Sequence, residues 1–316
     1  MRRFGRTDLY VSAFGLGCAR IGGIFKQNVS ESVGLLSQAF DAGITFFDTS
    51  DIYSQGESER LIGRAFRDRR HRIVIATKGG YVLPTQRRII ARVKPVVRPL
   101  IRAFKLSRTS LPPSVRGELT QTFTPQYLAA AVDASLRRLG TDYIDLYQLH
   151  SPPASIVSKN DWVEALERLR DSGKIRYYGV SCDTSAAADA ALAHDGVSAL
   201  QICLNLLEAG GAETAERSRL RGCAVIARET LANGLLARPL EKIDPRAYCQ
   251  SDEEAERKTQ RIRELRAAAV AEGCTLAAYA LRWVQRIAGV SVTLLGASRA
   301  EQVRELLSAA RGVQSR

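Results

Sequence analysis

The 316-residue chain has few of the residues that announce particular chemistries: three histidines, two tryptophans and one methionine. No apolar run approaches the roughly 20 residues that a membrane-spanning helix needs, so an integral membrane protein is not expected. The N-terminus, Met1-Arg2-Arg3-Phe4-Gly5, lacks the apolar core of a secretory signal. The six cysteines, at 18, 182, 203, 223, 249 and 274, form no CxxC pair and share no metal-ligand spacing with histidine. Free thiols in a reducing compartment follow, and the expected location is the cytoplasm. With 45% hydrophobic and 25% charged residues, the chain is not short of core, and disorder is excluded.

Acidic residues are also in deficit, and the formal net charge is +13. Such an excess can serve nucleic acid, a membrane surface or anionic ligands. Here it is local. Residues 81–123 carry nine basic side chains against Glu118 alone, and the rest of the chain carries only +5. Beyond Tyr81 at its start, aromatic interleaving within this stretch is limited to Phe104 and Phe123, and no nucleic-acid motif accompanies it, so no nucleic-acid partner is expected. Apolar residues recur at roughly helical spacing, but Pro95 and Pro99 would break or kink a helix. The stretch reads either as a basic, partly helical lid or as a solvated surface excursion.

What the chain has in abundance is alternation. Short β-branched or aromatic runs end at Cys18, Thr49, Lys78, His150, Ser181, Asn205, Arg228 and Leu295, and amphipathic stretches lie between them. Thr124-Pro125 opens one such helix with an N-cap residue and a proline at the first helical position, and Gly140 stops it. A long helical tract from Asp252 to about Arg286 breaks near Gly273. Eight strand–helix units predict a closed (β/α)8 TIM barrel in one domain, residues 1–316. A Thr7-Asp8 turn predicts a β-hairpin ahead of the first strand, plugging the floor, and residues 81–123 form an insertion after strand three.

In such barrels chemistry sits at the C-terminal ends of the strands. There the sequence puts Asp48 and Tyr53, Lys78, and His150, after strands two, three and four. Singly, His150 reads as a satisfied barrel histidine and Lys78 as a strand-end charge reaching solvent. Together they form a proton-handling set. A tyrosine, with an ordinary pKa of about 10, is a poor acid without help. A lysine ammonium favours the phenolate, a carboxylate keeps the lysine charged, and a neutral histidine can orient a carbonyl oxygen. Hydride for that carbonyl has to come from a cofactor, since no side chain supplies it.

The segments Phe46-Phe-Asp-Thr-Ser-Asp-Ile-Tyr53, Ala76-Thr-Lys78, Leu139-Gly-Thr-Asp-Tyr-Ile-Asp145, Asp145-Leu-Tyr-Gln-Leu-His150 and Gly173-Lys-Ile-Arg-Tyr-Tyr-Gly-Val-Ser181 resemble the signatures of the aldo-keto reductase family, and the resemblance runs over nearly the whole chain. It implies an NADPH-dependent oxidoreductase with Tyr53 as general acid, Lys78 and Asp48 tuning it, and His150 orienting the carbonyl. It implies further that Ser181 and Gln201 hold the nicotinamide carboxamide, with Cys182 standing where the family usually has Asn. Arg228 stands where an aromatic commonly stacks on the nicotinamide, within a segment that also supplies Glu229, Leu231 and Gly234. The guanidinium either stacks on the ring and disfavours NADP⁺, or turns to the pyrophosphate or an acidic side chain. Gly296, Ser298, Arg299, Gln302 and Glu305 resemble the segment that grips the adenosine 2′-phosphate in the potassium-channel β-subunit branch, with Leu306 replacing an Asn. The helix start there offers N–H groups to an anion. That branch implies an alternative, an NADPH-binding regulatory or redox-sensing subunit with little turnover. The expected partner is a small carbonyl or alcohol; substrate identity and oligomeric state stay open.

Overall fold

The computed structural model describes residues 1–22, 28–82 and 119–312. Strands β1 (Arg2–Arg3) and β2 (Tyr10–Val11) form an antiparallel hairpin. Eight parallel strands follow: β3 (Phe14–Gly17), β4 (Phe46–Asp48), β5 (Val74–Gly79), β8 (Ile144–His150), β9 (Ile175–Cys182), β10 (Ala199–Cys203), β11 (Ala224–Arg228) and β12 (Val290–Gly296). They close on themselves, with β9 paired to β10 and β12 to β3. The fold is a (β/α)8 barrel.

Two more strands, β6 (Tyr81–Val82) and β7 (Thr120–Gln121), pair antiparallel at the base of the basic insertion. The lid expectation for residues 83–118 falls outside the described residues, as does part of the loop after β3.

Helices α1 (Val29–Asp41), α2 (Glu57–Phe66), α3 (Pro125–Leu139), α4 (Ala154–Val157), α5 (Asp161–Asp171), α6 (Ser185–Leu192), α7 (Gly211–Leu220), α8 (Asp252–Ala271), α9 (Leu276–Arg286) and α10 (Ala300–Arg311) accompany the strands. Their ends follow local chemistry. An Asn28–Glu31 capping box starts α1 four residues before the apolar pattern suggests. Thr124 caps α3 and left-handed Gly140 ends it. Gly273, with φ of 65°, separates α8 from α9.

Strand alternation sorts the core into two bodies. Phe47, Ile75, Tyr147, Leu149, Val180 and Leu200 face outward and pack beneath the helices. Phe46, Val74, Ala76, Leu146, Ala199, Ala224 and Ile226 face inward, where they meet Phe4, Leu9 and Val11 of the hairpin. The Phe4 and Phe46 rings lie 5.7 Å apart. The hairpin therefore plugs the barrel floor. Gly5 permits its close approach, since a Cβ there would lie 2.7 Å from both the Ala224 nitrogen and the Gly222 oxygen.

With the floor filled by apolar side chains, the inward positions one step higher carry the polar groups. On β4, β5, β8 and β10 these are Asp48, Lys78, Gln148 and Gln201, all buried.

Candidate active site

Asp48 ends β4, and the chain then turns through Thr49, Ser50 and Asp51 into a short 3-10 segment, Tyr53–Gly56. Ser54 and Gln55 adopt left-handed φ values of 51° and 63°, an unusual conformation for residues with a Cβ. This turn carries Tyr53 to the mouth. Lys78, fully buried, sends Nζ to Asp48 Oδ1 at 2.7 Å, Asp48 Oδ2 at 2.8 Å and the Thr49 carbonyl at 2.9 Å. Its Nζ lies 5.2 Å from the centroid of the Tyr53 ring, which in turn packs edge-on to His150 at 5.8 Å. The structure thus brings Asp48, Tyr53, Lys78 and His150 together.

Electrostatics divide their roles. Burial alone would lower the Lys78 pKa, but Asp48 and Tyr53 overcome it, and the net direction is upward. The ammonium is held charged. For Tyr53, burial raises the pKa; Lys78 lowers it and Asp48 raises it again. The net shift is upward, against the simple expectation that a nearby lysine depresses the phenol. Desolvation of the phenolate outweighs the cation here. His150 is pushed down to about 3 by burial and by the Lys78 and Arg228 cations, so it is neutral at working pH. Its Nδ1 lies 3.0 Å from Ser50 Oγ, and the Tyr81 ring packs edge-on at 4.9 Å.

From this mouth one cavity of about 1920 Å³ runs outward. Ser181 and Gln201 line it beside Asp48, with Gln201 Nε2 donating to Asp48 Oδ1 at 2.8 Å and Ser181 Oγ donating to Gln201 Oε1 at 3.3 Å. Glu229, Leu231, Gly234, Gly296, Ser298, Gln302 and Glu305 line the same cavity. Gln302 Oε1 accepts from the Ser298 backbone N–H at 3.0 Å and from its hydroxyl at 3.2 Å. Two expected positions stand apart. Cys182 follows inward-facing Ser181, so alternation turns its thiol into the core under the helices, away from the cavity. Arg299 caps α10 from an exposed position outside the lining.

Arg228 lines the cavity but is not a bare cation. It donates to Asp183 Oδ1 at 2.5 Å and to the Cys182 carbonyl at 3.4 Å, and it pairs with Glu229. Strand β11 ends at Arg228, and Glu229 takes a φ of 55°, which returns its carboxylate to the guanidinium. An acidic side chain is one of the partners expected for Arg228, and two hold it here.

Four contributors carry no advance signal in the sequence pattern: Ser50, Asp183, Arg238 and Arg266. Arg238 and Arg266 also line the cavity. The buried Nε–H groups of Arg228 and Arg266 have no hydrogen-bond partner in the protein. Orphaned cationic donors in a groove suit an anionic ligand. A dinucleotide matches this donor set: the polar Ser181 and Gln201 beside Asp48, the arginines, and a helix N-terminus beside Ser298, all on one cavity. Among the described residues no His, Cys, Asp or Glu cluster could hold a metal ion, and no helix is long and apolar enough to cross a membrane.

Comparison with known proteins identifies the family. The aldo/keto reductase family model matches residues 13–314. The "Uncharacterized oxidoreductase YqkF" of Bacillus subtilis is 28% identical over 98% of this chain and 90% of its own length. "Aldo-keto reductase AFTS1" of Alternaria alternata is 29% identical over 98% of this chain and 86% of its own. The holo form of aldo-keto reductase AKR11C1 from Bacillus halodurans superposes with a TM-score of 0.77 at 27% identity, covering 98% of this chain and 90% of that one.

Proposed function

This chain belongs to the aldo/keto reductase family of oxidoreductases, and from that premise we propose that it uses NADPH to reduce an aldehyde or ketone of small or medium size, with Tyr53 as general acid. The observation that carries the reading is the Asp48–Lys78–Tyr53–His150 group, with Asp48, Tyr53 and His150 lining a cavity of about 1920 Å³.

A bound reduced nicotinamide supplies the hydride. The side chains handle the proton. Neutral His150 orients the carbonyl oxygen, and the Tyr53 hydroxyl donates to the alkoxide as it develops. The raised Tyr53 pKa keeps that hydroxyl protonated before reaction. Once the proton leaves, the Lys78 ammonium lies close enough to stabilise the phenolate, and Asp48 keeps the ammonium charged. Ser181 and Gln201 are suited to hold the carboxamide, with Gln201 preset by its bond to Asp48. Arg238 and Arg266 are suited to the pyrophosphate. Ser298, Gln302 and Glu305, with Arg299 swung inward from the surface, are suited to the adenosine and its 2′-phosphate; paired donation by a guanidinium favours NADPH over NADH. The six free cysteines support a reducing compartment, the cytoplasm.

Steady-state NADPH oxidation against grouped aldehydes and ketones is the test. Turnover that depends on Tyr53 is expected. Tight NADPH binding with no turnover on any group would favour the regulatory-subunit alternative instead.

A further inference from the structure

Ser50 sits between two groups that the catalytic scheme leaves unconnected. Its Oγ is 3.0 Å from His150 Nδ1, 3.1 Å from Asp51 Oδ1 and 3.3 Å from the Lys78 carbonyl, and it accepts from the Ile52 N–H at 3.4 Å. One hydroxyl hydrogen faces three acceptors, so only one can be served. We propose that Ser50 and Asp51 are positioning residues that set the tautomer of His150, and that the protonation state of Asp51 decides which imidazole nitrogen carries the hydrogen. This inference rests on the reductase reading for its functional meaning, but its geometry does not.

With Asp51 ionised, the Ser50 hydroxyl donates to the carboxylate, because a charge-assisted bond outcompetes a neutral one. Ser50 Oγ then presents a lone pair to Nδ1, which must carry the hydrogen. Nε2, the other ring nitrogen, is left as a bare acceptor. With Asp51 protonated, the carboxyl O–H donates to Ser50 Oγ, and the Ser50 hydroxyl turns to Nδ1, its nearer remaining acceptor. The hydrogen of the neutral ring moves to Nε2, which becomes a donor. A donor is what a carbonyl oxygen requires, and an acceptor is what an alcohol O–H can use. No proton is gained or lost by the ring; only the Asp51 carboxyl titrates.

The surroundings put that titration in the useful range. Asp51 is raised to about 7, first by burial and then by Glu59, against the lowering influence of Arg138 and of its bonds to Ser50 and the Ile52 backbone. Glu59 of α2 is held by Arg138 of α3 and by Thr77 of β5. Tyr127 of α3 reaches Asp51 Oδ2 at 3.5 Å. Tyr147 of β8 has a buried hydroxyl with no partner; a Cβ on Gly79 would lie 2.1 Å from that oxygen and 3.4 Å from Asp51 Oδ2. On the other side His150 faces Lys78, Arg228, Tyr53 and Tyr81, and it stays neutral while Asp51 titrates.

The experiment is nitrogen-15 NMR of histidine-labelled full-length protein across the neutral pH range. The chain has three histidines, and His150→Gln assigns the relevant signals. The two ring nitrogens of His150 should exchange protonated and unprotonated shifts with a midpoint at about pH 7. Asp51→Asn and Ser50→Ala should each abolish the exchange. A single His150 tautomer throughout the range in the wild-type protein overturns the proposal, and so does an exchange that survives Ser50→Ala. Because no turnover is read, failure of the reductase reading would show only in the carbonyl assays and leave this result distinct.

Discussion

In the proposed reduction Tyr53 is the residue on which the chemistry turns. Tyr53→Phe removes the hydroxyl and keeps the ring that packs on His150 and lies over Lys78. General acid–base removal commonly costs 10²–10⁴, so kcat for carbonyl reduction should fall by at least about 10²-fold. NADPH affinity, read by fluorescence titration, should stay nearly constant; a variant that keeps most of its kcat would remove Tyr53 from the proton path. Asp51 offers a second measurement, on stability. Its pKa is raised from 3.8 to about 7, so the folded state holds the proton more tightly than the unfolded chain. The stability this contributes is fully present below the unfolded value and is lost as pH rises towards 7. At 1.36 kcal/mol per unit the loss has an upper limit of about 4 kcal/mol. Asp51→Asn cannot ionise, so its stability relative to wild type should grow between about pH 4 and about pH 7 in denaturant melts and level off above that. A gap that stays flat, or narrows, would mean that the carboxyl is not buried neutral.

At the scale of elements, the strands were readable because hydrophobic alternation is their own physics. β11 falls where the pattern puts it, at Ala224–Arg228, and the same alternation explains why Asp48, Lys78, Ser181 and Gln201 all face inward. It also explains why Cys182 does not, although family resemblance places it at the carboxamide. What alternation cannot reveal begins where strands end. The left-handed residues Ser54, Gln55 and Glu229 redirect side chains in ways that no two-residue period encodes, and the Ser50–His150 contact joins residues 100 apart. Two elements give tests. The β1–β2 hairpin closes the floor through Phe4, which is fully buried against Phe46. Phe4→Ala should cost about 3–5 kcal/mol in denaturant unfolding, while kcat per folded molecule holds steady, since the floor is at the opposite end from the mouth. Helix α10 gives the other. Arg299 is exposed, so its contact with a 2′-phosphate would sit at the low end of charge-assisted bonds, about 1.5 kcal/mol or roughly tenfold. Arg299→Ala should weaken NADPH by that factor and leave NADH unaffected; equal weakening of both would refute the assignment.

For the whole molecule, the mouth is a junction of loops whose charges must be counted together. Arg228 from β11 reaches Asp183 after β9, and Ser151 after β8 donates to the same Asp183 oxygen at 3.0 Å. Glu229 joins Arg228 and accepts from Asn233 at 3.2 Å. In one of the two readings from sequence, Arg228 is a cation beside the nicotinamide that repels the cationic oxidised ring. In the folded chain it is matched by two carboxylates, and the three groups together carry a formal charge of −1. On the proposed cofactor reading the wild-type site therefore has no net cation there with which to disfavour NADP⁺. The sign of each substitution still follows from Coulomb's law. Arg228→Tyr removes a positive charge, so NADP⁺ should gain affinity relative to NADPH. Glu229→Gln removes a negative one, so NADP⁺ should lose. These side chains are 21% to 56% exposed, which places them in a high-dielectric setting. Each change is then worth about 1 kcal/mol, roughly fivefold in the ratio of dissociation constants, and should shrink as salt is added. Fluorescence titrations of both cofactors on the two variants decide the matter. Shifts in opposite directions support a compensated triad beside the ring; a shift for Arg228→Tyr with none for Glu229→Gln would leave Arg228 acting alone, and no shift in either would place the triad away from the nicotinamide.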